Sequence, residues 1–223
     1  MKKTALILIP LSASLIAFSQ NPTASLSETN DSTIITYHHN EMVSEIQSYK
    51  KGVKDGVFLN IDKNGIVKTI AHYNNNLLDG KYKEFSSGGR IKKEMNYEQG
   101  KLNGVRKIYY ESNKLQEETS FVNDKKDGIA KWYYQDGKIS VEYTYKNDFF
   151  EGPQKVYYKT GSLKSEVNAV NNEKEGEYKE YHDGGKLKVL GFYKKGKKDG
   201  EWNEYSEEGK VINTTKYKEG FAK

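Results

Sequence analysis

The residues of this chain whose types could catalyse or bind metals are spaced in a way that argues against a site. The four histidines, His38, His39, His72 and His182, read as falling at unrelated positions. None shares with a carboxylate the spacing that builds a metal centre. They are expected to be exposed or turn residues. Asp62-Lys63-Asn64-Gly65 and the segment from Asn123 to Gly128 resemble the start of a calcium loop. Both lack the bidentate Glu that would complete one, so tight turns are expected instead. Glu117-Glu118 and Glu207-Glu208 are adjacent carboxylates. A strand sends neighbouring side chains to opposite sides, so neither pair can flank a substrate. The chain has no Gly-x-Ser-x-Gly turn, no phosphate-binding Gly-Lys-Ser/Thr loop and no cysteine. No catalytic residue, no metal and no cofactor is expected.

What the chain does have is a period. Glycines recur every 24 residues at Gly56, Gly80, Gly104, Gly128, Gly152, Gly176 and Gly200, each preceded by Asp, Asn or Glu. Counting back one period reaches Ser32, which opens a degenerate first copy. With the leading residue as zero, +5 is aromatic except at Ile61, and +11 is always aliphatic, from Val43 to Val211. Position +17 is aromatic except at Ala169. Aromatic and β-branched runs punctuated by Asp-Gly and Asn-Gly signal strands and hairpins, and no window keeps a 3.6-residue period. The fold expected is all-β: an elongated antiparallel meander of about eight 24-residue β-hairpin repeats, twisted, single-sheeted and solenoid-like. The expected divisions are 1–19, 20–31 and then 32–55, 56–79, 80–103, 104–127, 128–151, 152–175, 176–199 and 200–223. Sixteen strands would make a ribbon about 75 Å long.

The first division reads as a signal peptide. Lys2 and Lys3 precede an apolar stretch from Ala5 to Ala17, and Ala17-Phe18-Ser19 puts small residues at −3 and −1. The apolar run, about 13 residues, is shorter than a membrane span needs. Cleavage near Ser19 and export to the periplasm, the envelope or the medium are expected, with residues 20–31 as a polar, flexible linker. Losing Lys2 and Lys3 lowers the formal charge from +5 to +3. With lysines and glutamates interspersed, that mild charge points away from a nucleic-acid partner.

The pattern G-x4-[YF]-x3-G-x-[LIV]-x5-[YF], read at Gly80, Phe85, Gly89, Ile91 and Tyr97 and continued at Gly100 and Asn103-Gly104, resembles the bacterial variant of the MORN repeat. The likeness covers about 190 residues. It departs at Asn113, which replaces the turn glycine, and at Ala169. The resemblance implies a β-hairpin repeat used for contact with protein or lipid. Some relatives carry an antitoxin label. An antitoxin-type binder of a cytoplasmic toxin is therefore the alternative reading, against which the export signal speaks.

The charges suggest a register. If offsets summing to 17 face each other, Lys83 meets Glu94, Lys107 meets Glu118, Lys131 meets Glu142 and Lys155 meets Glu166. The same rule pairs Ile35 with Ile46 and Leu59 with Ile70, and sets each leading glycine against the +17 ring. One face is then packed. The other carries an aromatic row, Phe85, Tyr109, Tyr133, Tyr157, Tyr181 and Tyr205, beside the Lys–Glu pairs. Those rings either stack sugars or grip a polyanion, or they shelter neighbouring strands. A second candidate is the apolar patch of Ile35, Ile46, Leu59, Ile61 and Ile70. It is open to a partner protein, an envelope component, a membrane surface or a second copy, or it is covered by the chain itself. If the patch mediates self-association, Leu59→Lys shifts the sedimentation coefficient towards that of the monomer. An unchanged coefficient in a self-associating protein removes the patch from the interface.

Overall fold

The computed structural model describes residues 4–7 and 31–223. Among them there is no helix, and every strand pairing is antiparallel. The predicted cleavage site and residues 20–30 of the predicted linker lie outside the described residues. The chain divides into two compact units, Met1–Leu102 and Asn103–Lys223. The first holds β1 (Thr4–Ile7), β2 (Ser32–Tyr37), β3 (Val43–Lys50), β4 (Val53–Ile61) and β5 (Val67–Asn74). It continues with β6 (Leu77–Leu78), β7 (Gly80–Phe85), β8 (Ile91–Glu98) and β9 (Lys101–Leu102). The second opens with β10 (Gly104–Tyr109), β11 (Leu115–Val122), β12 (Lys125–Tyr133), β13 (Ile139–Lys146) and β14 (Phe149–Tyr157). Its remaining strands are β15 (Leu163–Val170), β16 (Glu173–Tyr181), β17 (Leu187–Lys194), β18 (Lys197–Tyr205), β19 (Val211–Lys218) and β20 (Phe221–Ala222).

Two kinds of turn alternate along the chain. Between repeats the turn has two residues, both with positive φ, as at Asn147 (50°) and Asp148 (71°). That is the backbone of a tight hairpin whose twist matches its strands, which explains the Asn-Asp, Asn-Asn and Lys-Gly pairs there. Within a repeat the turn is longer. Tyr134 N–H donates to the Lys138 carbonyl at 2.8 Å and Gly137 N–H to the Tyr134 carbonyl at 2.9 Å. Gly137 takes φ 93°, the left-handed residue that returns the chain to its strand. Asn113 fills this place in its own repeat at φ 62°, so the departure noted in the sequence keeps the turn, because asparagine tolerates this conformation.

The register follows the charges as far as +4. Gly128 faces Tyr145, Lys131 faces Glu142 and Trp132 faces Val141, and the same offsets recur in β14–β15 and β4–β5. Beyond that the sum rule fails by one. Tyr133 pairs with Ile139, and every full hairpin slips at this place. The extra residue lies next to the longer turn, where a bulge absorbs its geometry.

Side chains of two faces follow. Ala130, Phe121, Tyr145, Val167, Ala169 and Trp202 are buried in the second unit, and Ala71, Ser44 and Gln47 in the first. All occupy offsets +2, +12, +15 or +17, and all but Ser44 belong to the face expected to pack. Ser44 instead receives or gives a hydrogen bond with Thr36 at 2.8 Å. Asn113→Val, which puts a β-branched residue at positive φ, is expected to cost about 1–2 kcal/mol. Asn113→Gly is expected to leave stability nearly unchanged, and urea unfolding midpoints of the two variants are the check.

Candidate functional site

On the face opposite the packed one, single rows of residues run directly across successive strands. In the second unit the row reads Lys107, Glu118, Lys131, Glu142, Lys155, Glu166 and Lys179 over β10 to β16. Each glutamate stands between a lysine of its own hairpin and one of the next, so unlike charges alternate throughout. Lys131 reaches Glu142 at 3.6 Å. In the first unit the same row begins apolar. Ile35, Ile46, Leu59 and Ile70 face one another across β2 to β5 before Lys83 and Glu94 resume the charges at 2.9 Å. The apolar patch read from the sequence is thus four neighbours in line, with Ile61 at the end of β4 paired to Val67. All five are half-buried.

The aromatic row lies beside this ladder, and its six members, Phe85, Tyr109, Tyr133, Tyr157, Tyr181 and Tyr205, are half-buried. Tyr133 donates its hydroxyl to Glu118 at 2.5 Å and Tyr181 donates to Glu166 at 2.9 Å. Each bond runs back to the +14 glutamate of the preceding repeat. Burial first, and then Glu118, push the Tyr133 phenol well above its ordinary range. Burial, followed by Glu142 and Glu166, raises Tyr157 as well.

The histidines need a correction. His38 and His182 share offset +6, and so are not at unrelated positions. Each donates Nε2–H to the +5 carbonyl of the next repeat, His38 to Ile61 at 2.8 Å and His182 to Tyr205 at 3.0 Å. Tyr110, Tyr134 and Tyr158 do the same from the same offset, to Tyr133, Tyr157 and Tyr181 at 2.6–2.8 Å. These bonds cross from one repeat to the next. The signal was present in the sequence as five hydrogen-bonding rings at a single offset. Glu117 and Glu118 do diverge: Glu117 pairs with Arg106 at 2.5 Å and accepts from Thr119 at 2.9 Å on the packed face. Asp62 accepts from the N–H groups of Asn64 and Ile66, which makes its loop a turn. Among the described residues no group of His, Asp and Glu could hold a metal ion.

The packed face holds a feature that sequence reasoning missed. In four copies a lysine two places before the leading glycine lies over the +17 ring that follows. Lys54 covers Tyr73 at 5.3 Å, Lys126 covers Tyr145 at 4.8 Å, Lys174 covers Tyr193 at 5.0 Å and Lys198 covers Tyr217 at 4.9 Å. Such a placement is attractive because a cation meets the negative face of the ring. Counting each copy from its glycine hid the pattern, since it joins the end of one copy to the body of the next.

The rings gather most densely near the end of the second unit. Trp202 stacks on Tyr178 at 5.4 Å and meets Tyr193 and Tyr217 edge-on at 5.1 and 6.1 Å, with Lys198 4.1 Å from its centroid. Its Nε1–H donates to the Phe192 carbonyl. A Cβ on Gly191 would come within 2.2 Å of the indole, so only glycine admits Trp202 here. These rings, together with Glu180, Glu204 and Thr215, line a shallow depression. Burial pushes the Glu180 carboxyl up, but hydrogen bonds from Lys188 and Tyr178 outweigh it and hold the group below its usual range. Burial raises the Tyr178 phenol, and Glu180 adds to the effect.

Raised phenols make a pH signature. A tyrosine whose folded pKa exceeds the unfolded value of about 10 stabilises the fold fully below that pH and loses the contribution as pH rises above it. The urea midpoint is therefore expected to fall as pH rises above about 10 and to keep falling towards the raised folded values. In Tyr133→Phe that fall is expected to be smaller, and an identical pH profile would remove the Tyr133 phenol as a contributor to it.

No curated protein matches the chain. The family model described as the MORN repeat variant matches residues 78–99, 102–123, 126–147, 150–171, 174–195 and 198–219. The matched segments begin every 24 residues, each two places before a leading glycine and so at the offset of the ring-covering lysines. MORN repeats are binding and scaffold modules, and the family is a non-catalytic one. With six copies in one register over more than half of its length, the chain belongs to the MORN repeat variant family.

Proposed function

We propose that the protein is an exported, non-enzymatic scaffold whose ring-bearing packed face holds a protein or an envelope component, either a glycan or a lipid headgroup. The observation that carries this reading is the periodic pairing of lysine with ring, Lys54–Tyr73, Lys126–Tyr145, Lys174–Tyr193 and Lys198–Tyr217. It presents one chemical element four times at whole multiples of the repeat, in consecutive copies at Lys174 and Lys198, which suits an extended partner. In the depression at Trp202 two carboxylates, the Lys198 ammonium and four rings lie together, a mixture that suits a hydroxyl-rich or zwitterionic surface better than a purely anionic one. Export is supported by the Lys2-Lys3 start, the apolar stretch after it and the small residues at Ala17 and Ser19.

Expression with the complete leader is expected to yield protein in the envelope or the medium whose first residue is close to Gln20. The variant Lys174→Glu/Lys198→Glu is expected to be exported equally and to be retained on isolated envelopes at least several-fold less. Full-length protein found only in the cytoplasm would falsify the export half. Equal retention of the variant would remove the ring face from binding.

A further inference from the structure

We infer that the depression at Trp202 is a subsite for one uncharged sugar ring with neighbouring free hydroxyls, so that a glycan is the partner this end of the face selects. The inference rests on the proposed binding role of the ring-bearing face and narrows it. Its first support is a departure from the repeat. Offset +4 lies on the packed face, two places along the strand from +2. There the second unit carries Ile108, Trp132 and Val156, all half-buried, and then Glu180 and Glu204. Taking a carboxylate out of water is unfavourable unless something compensates it. Half-buried Glu180 is compensated within the chain, by Lys188 at 2.8 Å and by the Tyr178 hydroxyl at 3.0 Å. Glu204 is more exposed and keeps bonding capacity. Asn213 donates to its Oε1 over a long 3.5 Å, and its Oε2 has no partner among the described residues.

The remaining groups sort by what they can still bond. The hydroxyls of Tyr193, Tyr217 and Thr215, which also line the depression, have no hydrogen-bond partner among the described residues. Lys198 is engaged, because its ammonium lies 4.1 Å from the Trp202 centroid and 4.9 Å from that of Tyr217. A phosphate would have to draw this one cation off the rings and then stand beside two carboxylates. With Lys188 balancing Glu180 and Lys198 balancing Glu204, the depression is close to neutral. An uncharged polyol meets what is left: an open carboxylate oxygen to accept its hydroxyls, and three protein hydroxyls that donate or accept. Val189 and the tyrosine rings give the apolar wall against which the C–H side of such a ring packs. Trp202 is the fixed floor, 5% exposed and bonded through Nε1–H to the Phe192 carbonyl. The depression measures about 180 Å³, below the roughly 300 Å³ where sites for drug-sized ligands begin. That is room for a single ring.

Two measurements test the ligand class, and only the second depends on the proposed role. In the complete chain carrying Trp132→Phe, Trp202 is the one tryptophan left, so its fluorescence reports on the depression. The methyl pyranosides of glucose, galactose and mannose are added to this chain and, in parallel, glycerophosphocholine and glycerophosphoethanolamine. At least one pyranoside is expected to change the emission saturably at millimolar concentration, and neither headgroup is. Glu204→Gln in the same background is expected to weaken the sugar several-fold, because a carboxylate is the stronger acceptor. On a phosphate ligand that change would act in the opposite sense. Retention on isolated envelopes is then compared after periodate, which cleaves neighbouring diols, and after chloroform–methanol extraction of lipid. Periodate is expected to lower retention several-fold and extraction to leave it unchanged. Silence of every pyranoside overturns the inference, as does a headgroup that binds more tightly than all of them. Retention that extraction removes and periodate does not also overturns it. If untreated envelopes retain nothing, the proposed role fails, while saturable binding of a pyranoside that Glu204→Gln weakens still upholds the subsite.

Discussion

The structure depends on turns that count. A two-residue turn with both φ values positive tolerates no change in length, because one residue more would send every following side chain to the wrong face. At Asn147-Asp148 and its equivalents the chain satisfies this with residues that accept left-handed backbone. Identical turns then give identical hairpins, and identical hairpins bring the same offset of successive copies side by side. The ladder of Lys107, Glu118, Lys131 and Glu142 and the lysine-covered rings are both products of that stepping. Neither is built by long-range tertiary contacts, which suits a chain with few large apolar residues to bury.

The two faces divide the work. One carries alternating charges whose attraction is modest for each half-exposed pair but which together fix which strand meets which. The hydroxyls of Tyr133 and Tyr181 lock this layer by bonding back to the preceding copy. The other face buries small residues such as Ala71 and Ala130 against rings. Among its polar intrusions Arg106 lies over Phe121 and holds Glu117, which Thr119 also reaches, while Arg106 Nε, Gln47 Oε1 and Gln154 Oε1 are buried without a hydrogen-bond partner among the described residues. In the first unit the charged layer gives way to Ile35, Ile46, Leu59 and Ile70, so that end of the sequence obeys the same register with different chemistry.

Much of this was legible in the residues. Period, all-β class and the facing of Lys131 with Glu142 could be read because charge and aromaticity repeat at fixed offsets. The slip that pairs Tyr133 with Ile139 could not, since it arises from turn geometry rather than from side-chain type. His38 and His182 looked unrelated because only two of the five rings at their offset are histidines. The lysines over Tyr145 and Tyr217 were lost to the choice of where a copy begins. The strand at Thr4–Ile7 was read only as part of an apolar leader, and short apolar runs carry no periodicity that tells the two apart.

The crossing bonds from offset +6 to the next +5 carbonyl set a rule for how such a chain can grow or shrink. From Tyr110 through Tyr134, Tyr158 and His182 the donors form an unbroken series whose last acceptor is the Tyr205 carbonyl. Insertion or deletion of one whole copy inside this series hands each donor a new acceptor of the same kind. A change of any other length strands a phenol or an imidazole without its carbonyl. Gene duplication in complete modules is therefore the one route of lengthening that leaves the hydrogen-bond grammar of the second unit intact.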